Sequence, residues 1–173
     1  MLRLTACLAG LLLAACSTMP TDPPALEFVV VRHAEKALGA GDDPPLTASG
    51  RARAEAVAQA LADAPVVGVY GTAYARTQQT AAPTASAHGL PVTTYDAREP
   101  AGAFAARLRT AHDRGTVLVV GHSNTVPAIA AALCGCDVPP MDETEYDRQL
   151  VVTVDADGNA ILSTSRMPPT HAP

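Results

Sequence analysis

Tryptophan is absent from this 173-residue chain, and two phenylalanines and four tyrosines are its only other large aromatic side chains. A nucleic-acid groove needs a basic face and usually stacks bases on aromatic rings. Here 17 acidic residues outnumber 12 basic ones, for a formal charge of −5, so composition argues against nucleic-acid binding. An aromatic carbohydrate platform is equally disfavoured. Lysine is nearly missing, with Lys36 the single example, and cysteine is limited to four residues. Apolar residues are not scarce: they make up 48% of the chain, and the mean hydropathy is +0.13. Many of them sit at the start.

Met1-Leu2-Arg3 is a short positive leader and Leu4 to Ala15 is an apolar run, the pattern of a secretory signal peptide. A bilayer-spanning helix needs about 20 apolar residues, and here polar Ser17-Thr18 follow too early. Leu13-Ala14-Ala15-Cys16 resembles the lipobox of bacterial lipoproteins. That resemblance implies that Cys16 becomes the acylated first residue, and Ser17 resembles the outer-membrane sorting pattern. The expected layout is a signal peptide at 1–15, a lipidated tether at 16–25, a domain at 26–166 and a loose tail at 167–173. Pro20, Pro23 and Pro24 stiffen the tether, which spans roughly 30 Å when extended. The membrane partner is reached through this lipid anchor, at an outer membrane and facing the periplasm.

Within the domain, Leu26 to Val31 is a continuous apolar, β-branched run, as are Val66 to Tyr70 and Val117 to Val120. Such runs read as strands covered on both faces. Helical stretches at Ala48 to Ala62 behind Thr47, Tyr74 to Ala87 and Ala101 to Asp113 separate them, with a short strand at Val92 to Tyr95 and a further helix near Thr125 to Leu133. Gln149 to Val154 and Ala160 to Ser165 flank Asp157-Gly158-Asn159 and read as a hairpin. The expected fold is α/β: a three-layer α/β/α sandwich around a mostly parallel sheet of about six strands, with a C-terminal antiparallel hairpin. Cys134-Gly135-Cys136 has no neighbouring metal ligand in sequence. A local disulfide and a pair of free thiols both remain open.

The first strand runs into Arg32-His33-Ala34-Glu35-Lys36, and the strand at Val117 into Gly121-His122-Ser123-Asn124. A parallel sheet brings both histidines to its carboxyl edge, where open α/β sheets hold ligands. The strand ending at Tyr70 delivers Arg76 to the same edge. Two histidines and two arginines suit a phosphomonoester, because arginine stays charged and offers a planar fork to phosphoryl oxygens. A neutral histidine is a nucleophile at one nitrogen. Ser123 and Asn124 at a helix start would present N–H groups to the same anion. His88, His112 and His171 read as surface residues.

Val31-Arg32-His33-Ala34-Glu35-Lys36, Leu46-Thr47-Ala48-Ser49-Gly50, Tyr74-Ala75-Arg76-Thr77-Gln78-Gln79-Thr80-Ala81 and Val119-Val120-Gly121-His122-Ser123-Asn124 occur in that order. Together they resemble the histidine phosphatase superfamily, related to phosphoglycerate mutases. The resemblance implies His33 as the nucleophile and Arg32, Arg76 and His122 as the phosphoryl-binding catalytic residues, with no metal and no cofactor. The family's general acid follows the third strand. Here that stretch is Tyr95-Asp96-Ala97-Arg98-Glu99-Pro100, and Asp96 is the first candidate, Glu99 the second. Either carboxylate also suits a helix start. The expected partner is a small phosphomonoester, hydrolysed by phosphoryl transfer to His33. A weakly active phosphate-ligand binding lipoprotein and a phosphomutase are the competing readings. Acids at Asp42, Asp43, Asp142, Glu143 and Glu145 disfavour highly phosphorylated substrates if they face the pocket.

Overall fold

The computed structural model describes residues 26–39 and 41–167. The expected signal peptide, the tether with Cys16, and His171 lie outside the described residues. Strands and helices alternate: β1 (Leu26–Arg32), α1 (Ala48–Ala60), β2 (Val66–Thr72), α2 (Ala75–Ala87), β3 (Val92–Tyr95), α3 (Ala101–Ala111), β4 (Gly115–Gly121), α4 (Val126–Cys134), β5 (Arg148–Val154) and β6 (Ala160–Arg166). They build one six-stranded sheet in the order β3-β2-β4-β1-β5-β6. The first four strands are mutually parallel, β5 adds antiparallel to β1, and β6 adds antiparallel to β5.

Side-chain alternation along the strands decides the layers. Phe28, Val30, Val117 and Val119 pack with Phe104 and Leu108 of α3 and Ile129 and Leu133 of α4. Their neighbours Val29, Val31, Leu118 and Val120 pack with Val57 of α1 and Ala81 and Ala85 of α2. Helices thus cover both faces of the central strands, and β4 is buried at every position. Met167, expected to begin a loose tail, is instead buried in the second of these clusters, and its N–H donates to the Asp147 carbonyl. A thioether that reaches an apolar layer has no reason to stay in water.

Local chemistry fixes the connections. Thr47 caps α1 by accepting the Gly50 N–H at 3.0 Å, and its own N–H donates to the Glu35 carbonyl. Gly50 lies against that carbonyl, so a Cβ there would overlap backbone. The hairpin loop is held by Asp155 Oδ1, which accepts from the N–H groups of Asp157 and Asn159, while Gly158 supplies a φ of 85°. Cys134 and Cys136 are joined in a disulfide across the α4 terminus.

The glycine contact generates a test. Gly50→Ala must push α1 away from the strand that ends at Arg32, and overpacking of this kind costs about 1–3 kcal/mol. A lowered thermal midpoint by circular dichroism is expected, and an unchanged midpoint would show that the Glu35 segment yields freely.

Candidate active site

β1 and β4 run in register, with Arg32 opposite Gly121, and the His33 N–H donates to the Gly121 carbonyl at 2.9 Å. His33 and His122 therefore leave adjacent strands at the same edge, with ring centroids 5.4 Å apart. β2 flanks β4 on its other side, and the turn after it starts α2, whose second residue is Arg76. His33, Lys36, Arg76, His122, Ser123 and Glu143 line one cavity of about 320 Å³, within the size range of small-ligand sites. Arg32 is 2% exposed, at the end of the strand that carries His33.

The protonation of His33 follows from its partner. Its Nδ1 lies 2.8 Å from the Ala34 carbonyl, which only accepts, so Nδ1 carries the hydrogen and a neutral ring keeps its lone pair on Nε2. Burial, assisted by the charges of Arg32, His122 and Arg76, lowers the His33 pKa from 6.5 to about 4. His122 is lowered to about 4 as well, by burial and then by Arg76, Arg32 and Lys36. Its Nε2 sits 3.1 Å from Thr72 Oγ1, which is 2.8 Å from Thr77 Oγ1. Thr77 Oγ1 donates to backbone carbonyls. Its single hydrogen is thereby used, so Thr72 donates to Thr77 and accepts from His122 Nε2. In neutral His122, Nδ1 is then an acceptor, and it becomes a donor only on protonation.

Each arginine has a tyrosine on its face and a carboxylate at its fork. The Arg32 guanidinium carbon lies 4.2 Å from the Tyr146 ring centroid, and that of Arg76 lies 4.3 Å from the Tyr74 centroid. Arg32 Nη2 donates to Glu143 Oε2 at 3.0 Å, and its Nη1 donates to the carbonyl of Glu143 at 2.6 Å. Ser123 Oγ donates to the other oxygen of Glu143. Arg76 Nη1 is 3.7 Å from Asp43 Oδ1, which also accepts the Ala75 N–H. The Nε atoms of Arg32 and Arg76 are buried without a hydrogen-bond partner among the described residues. Arg53 Nη1 and Arg148 Nε are in the same state although neither residue lines the cavity, and Arg32, too, is absent from the lining.

The sequence reading and the geometry diverge at the acid. Asp96 is exposed and absent from the cavity lining, where Ala97 and Arg98 stand instead. Its Oδ1 accepts the Arg98 N–H. Glu99 is ion-paired with Arg107 at 2.7 Å. The carboxylate in the cavity is Glu143, 21 residues beyond His122 and expected only as one of several acids that could face a pocket, without a catalytic part. Glu35 turns to Arg53, 2.6 Å away, so of the pair Glu35 and Lys36 only Lys36 lines the cavity. His88 and His112 are half-buried rather than surface residues: His88 Nε2 is 3.0 Å from the Leu61 carbonyl, and His112 Nε2 is 2.8 Å from Tyr70 Oη. The stacking of Tyr74 and Tyr146 on the two arginines has no signal in the sequence, since a single tyrosine carries no spacing.

Two measurements follow. Folded His33 and His122 titrate below their ordinary value of 6.5, so the unfolded chain binds more protons between pH 6.5 and 4 and stability falls as pH drops through that window. Ring-nitrogen NMR should show both neutral at pH 6 and His33 with hydrogen on Nδ1. Adding inorganic phosphate should raise the His122 midpoint, because an adjacent dianion favours the charged ring; no movement would remove His122 from the anion site. Tyr146→Leu, which removes the ring over Arg32, should weaken phosphate binding about 3–30-fold, whereas Tyr146→Phe should retain it.

The sequence profile of the Histidine phosphatase superfamily (branch 1) matches residues 28–98, and no curated protein matches the chain by sequence. Among solved structures, the protein histidine phosphatase SixA complexed with tungstate is 26% identical, with a TM-score of 0.67, over 83% of this chain and 97% of that one. A Nakamurella multipartitia protein named for the phosphohistidine phosphatase SixA is also 26% identical, with a TM-score of 0.59, over 87% and 100%. A mycobacterial glucosyl-3-phosphoglycerate phosphatase shares the fold at 18% identity and a TM-score of 0.64, over 82% and 99%. By its sequence profile over residues 28–98 and by its fold throughout, the chain is similar to the histidine phosphatase superfamily.

Proposed function

We propose that the protein hydrolyses a phosphomonoester by way of a phosphohistidine on His33, acting in the periplasm as a lipoprotein anchored through Cys16. The observation that carries the chemistry is the hydrogen bond from His33 Nδ1 to the Ala34 carbonyl, which leaves Nε2 as the nucleophile at neutral pH. Nε2 forms the bond to phosphorus while the bond from phosphorus to the leaving oxygen breaks. Arg32, Arg76 and protonated His122 hold the phosphoryl oxygens, since phosphoryl transfer needs charge neutralisation and positioning above all. Water then forms the new bond to phosphorus, the bond to Nε2 breaks, and inorganic phosphate leaves.

Glu143 is the proton carrier in this scheme, in place of Asp96. In the free protein the Ser123 hydroxyl and then Arg32 hold its carboxyl below the usual carboxylate range. A phosphoryl group that takes over Ser123 and Arg32 removes that stabilisation and sets a dianion beside it, and both changes raise its pKa. Glu143 then protonates the leaving oxygen and, as carboxylate, takes the proton of the attacking water. SixA carries the name of a phosphohistidine phosphatase, so phosphohistidine is the second substrate to assay. The disulfide Cys134–Cys136 supports the compartment, because disulfides persist where the surroundings are oxidising.

The domain from Leu26, given a labelled aryl phosphate at mildly acidic pH and quenched in base, should carry acid-labile label that His33→Ala abolishes. Absence of both label and hydrolysis, with His33→Ala binding phosphate as well as the wild type, would favour a binding protein instead. On an alkyl phosphate, Glu143→Gln should lose about 10²–10⁴-fold in kcat, with Asp96→Asn and Glu99→Gln near wild type. Equal small effects from all three would mean that none is the acid. For the anchor, globomycin treatment of expressing bacteria should accumulate the unprocessed precursor, and Cys16→Ser should abolish incorporation of labelled palmitate.

A further inference from the structure

Beside the phosphoryl cavity lies a second, smaller recess of about 150 Å³. It shares Ala97, Asn124 and Thr125 with the first, so the two are joined along that rim. Its lining is of another kind. The stacked rings of Tyr95 and Phe104, 4.1 Å apart, and the side chain of Ile129 are buried apolar surface. Ala101 of α3 and Ala128 of α4 contribute nothing larger than a methyl group. Tyr95 spends its hydroxyl on the Val120 carbonyl at 3.2 Å, and Glu99 is held by Arg107. An apolar cavity of about 150 Å³ has the capacity to bind one benzene ring.

It opens from the rim of the cavity that holds His33 and His122, through Ala97, Asn124 and Thr125, so a substituent carried by a phosphoryl group bound there has an apolar place within reach. We propose that this recess is the leaving-group subsite and that it takes a single uncharged planar ring, making the preferred substrate the phosphomonoester of a ring-bearing alcohol. Asn124, exposed at the shared rim, supplies a side-chain amide for a polar substituent on that ring. The inference rests on the phosphoryl site proposed above but not on turnover.

Binding of phosphonates, which cannot be hydrolysed, separates the two. Isothermal calorimetry on the domain from Leu26 should give benzylphosphonate at least a tenfold lower Kd than methylphosphonate, in line with what a filled apolar pocket contributes. Ala128→Phe, at an exposed position, fills the recess and should bring that ratio toward one, and Ala101→Leu should do the same from the opposite wall. In turnover, the kcat/KM ratio of benzyl phosphate to ethyl phosphate should fall in parallel. Equal affinity of the wild type for the two phosphonates would overturn the subsite, as would a preference that survives both variants. A phosphonate preference without label on His33 would leave the subsite standing and sink the phosphohistidine route.

Discussion

The register of β1 against β4 is the constraint on which the site depends. Arg32 pairs with Gly121, so the residues that follow, His33 and His122, are forced into the same small space by backbone hydrogen bonds before any side chain is considered. A slip of one residue would send both histidines to the opposite faces of the sheet. That slip is prevented by burial on both sides, with Phe28 and Val30 claimed by one helical layer and Val29 and Val31 by the other. Gly121 contributes in a second way, because a Cβ there would crowd Thr125 Oγ1 and Tyr95 Oη. The centre of the core and the centre of the site are thus one piece of backbone.

Electrostatics at this edge is arranged around an excess of positive charge in a buried place. Burial, reinforced by the charges of Arg32 and Arg76, holds two histidines neutral, and the same positive field draws in the carboxylates of Glu143 and Asp43. Carboxylate oxygens on an arginine fork imitate phosphoryl oxygens, and in the proposed mechanism an incoming phosphate competes with Glu143 for Arg32 and Ser123. In that proposal the exchange links binding to proton transfer, because the displaced carboxylate loses the contacts that keep it ionised. Tyrosine rings lie on the faces of both guanidinium groups.

Much of this was legible in the residues. The strands at Leu26, Val66 and Val117 declared themselves as continuous apolar runs, and the histidines and arginines were placed at one edge because parallel strands share a carboxyl end. Thr47 announced the start of α1, and Asp157-Gly158-Asn159 announced the hairpin. Asp96 lies in the expected stretch, but its side chain accepts the Arg98 N–H and stays out of the cavity lining. Glu143 arrives from a loop that has no periodicity to read, and only the approach of the segment before β5 to Arg32 brings it in.

The sequence by itself determined the layer order, the edge at which the histidines and arginines gather and the residue types found there. These follow from hydrophobic periodicity and chain direction, which are local properties. Tertiary structure alone decided which carboxylate faces the cavity, which tyrosines stack on the arginines, that Cys134 and Cys136 are bonded, and that an apolar recess opens beside the phosphoryl site. Each of these depends on where loops and helix ends come to rest against a sheet edge, and no spacing along the chain encodes a contact between residues more than a hundred positions apart, such as Arg32 and Glu143.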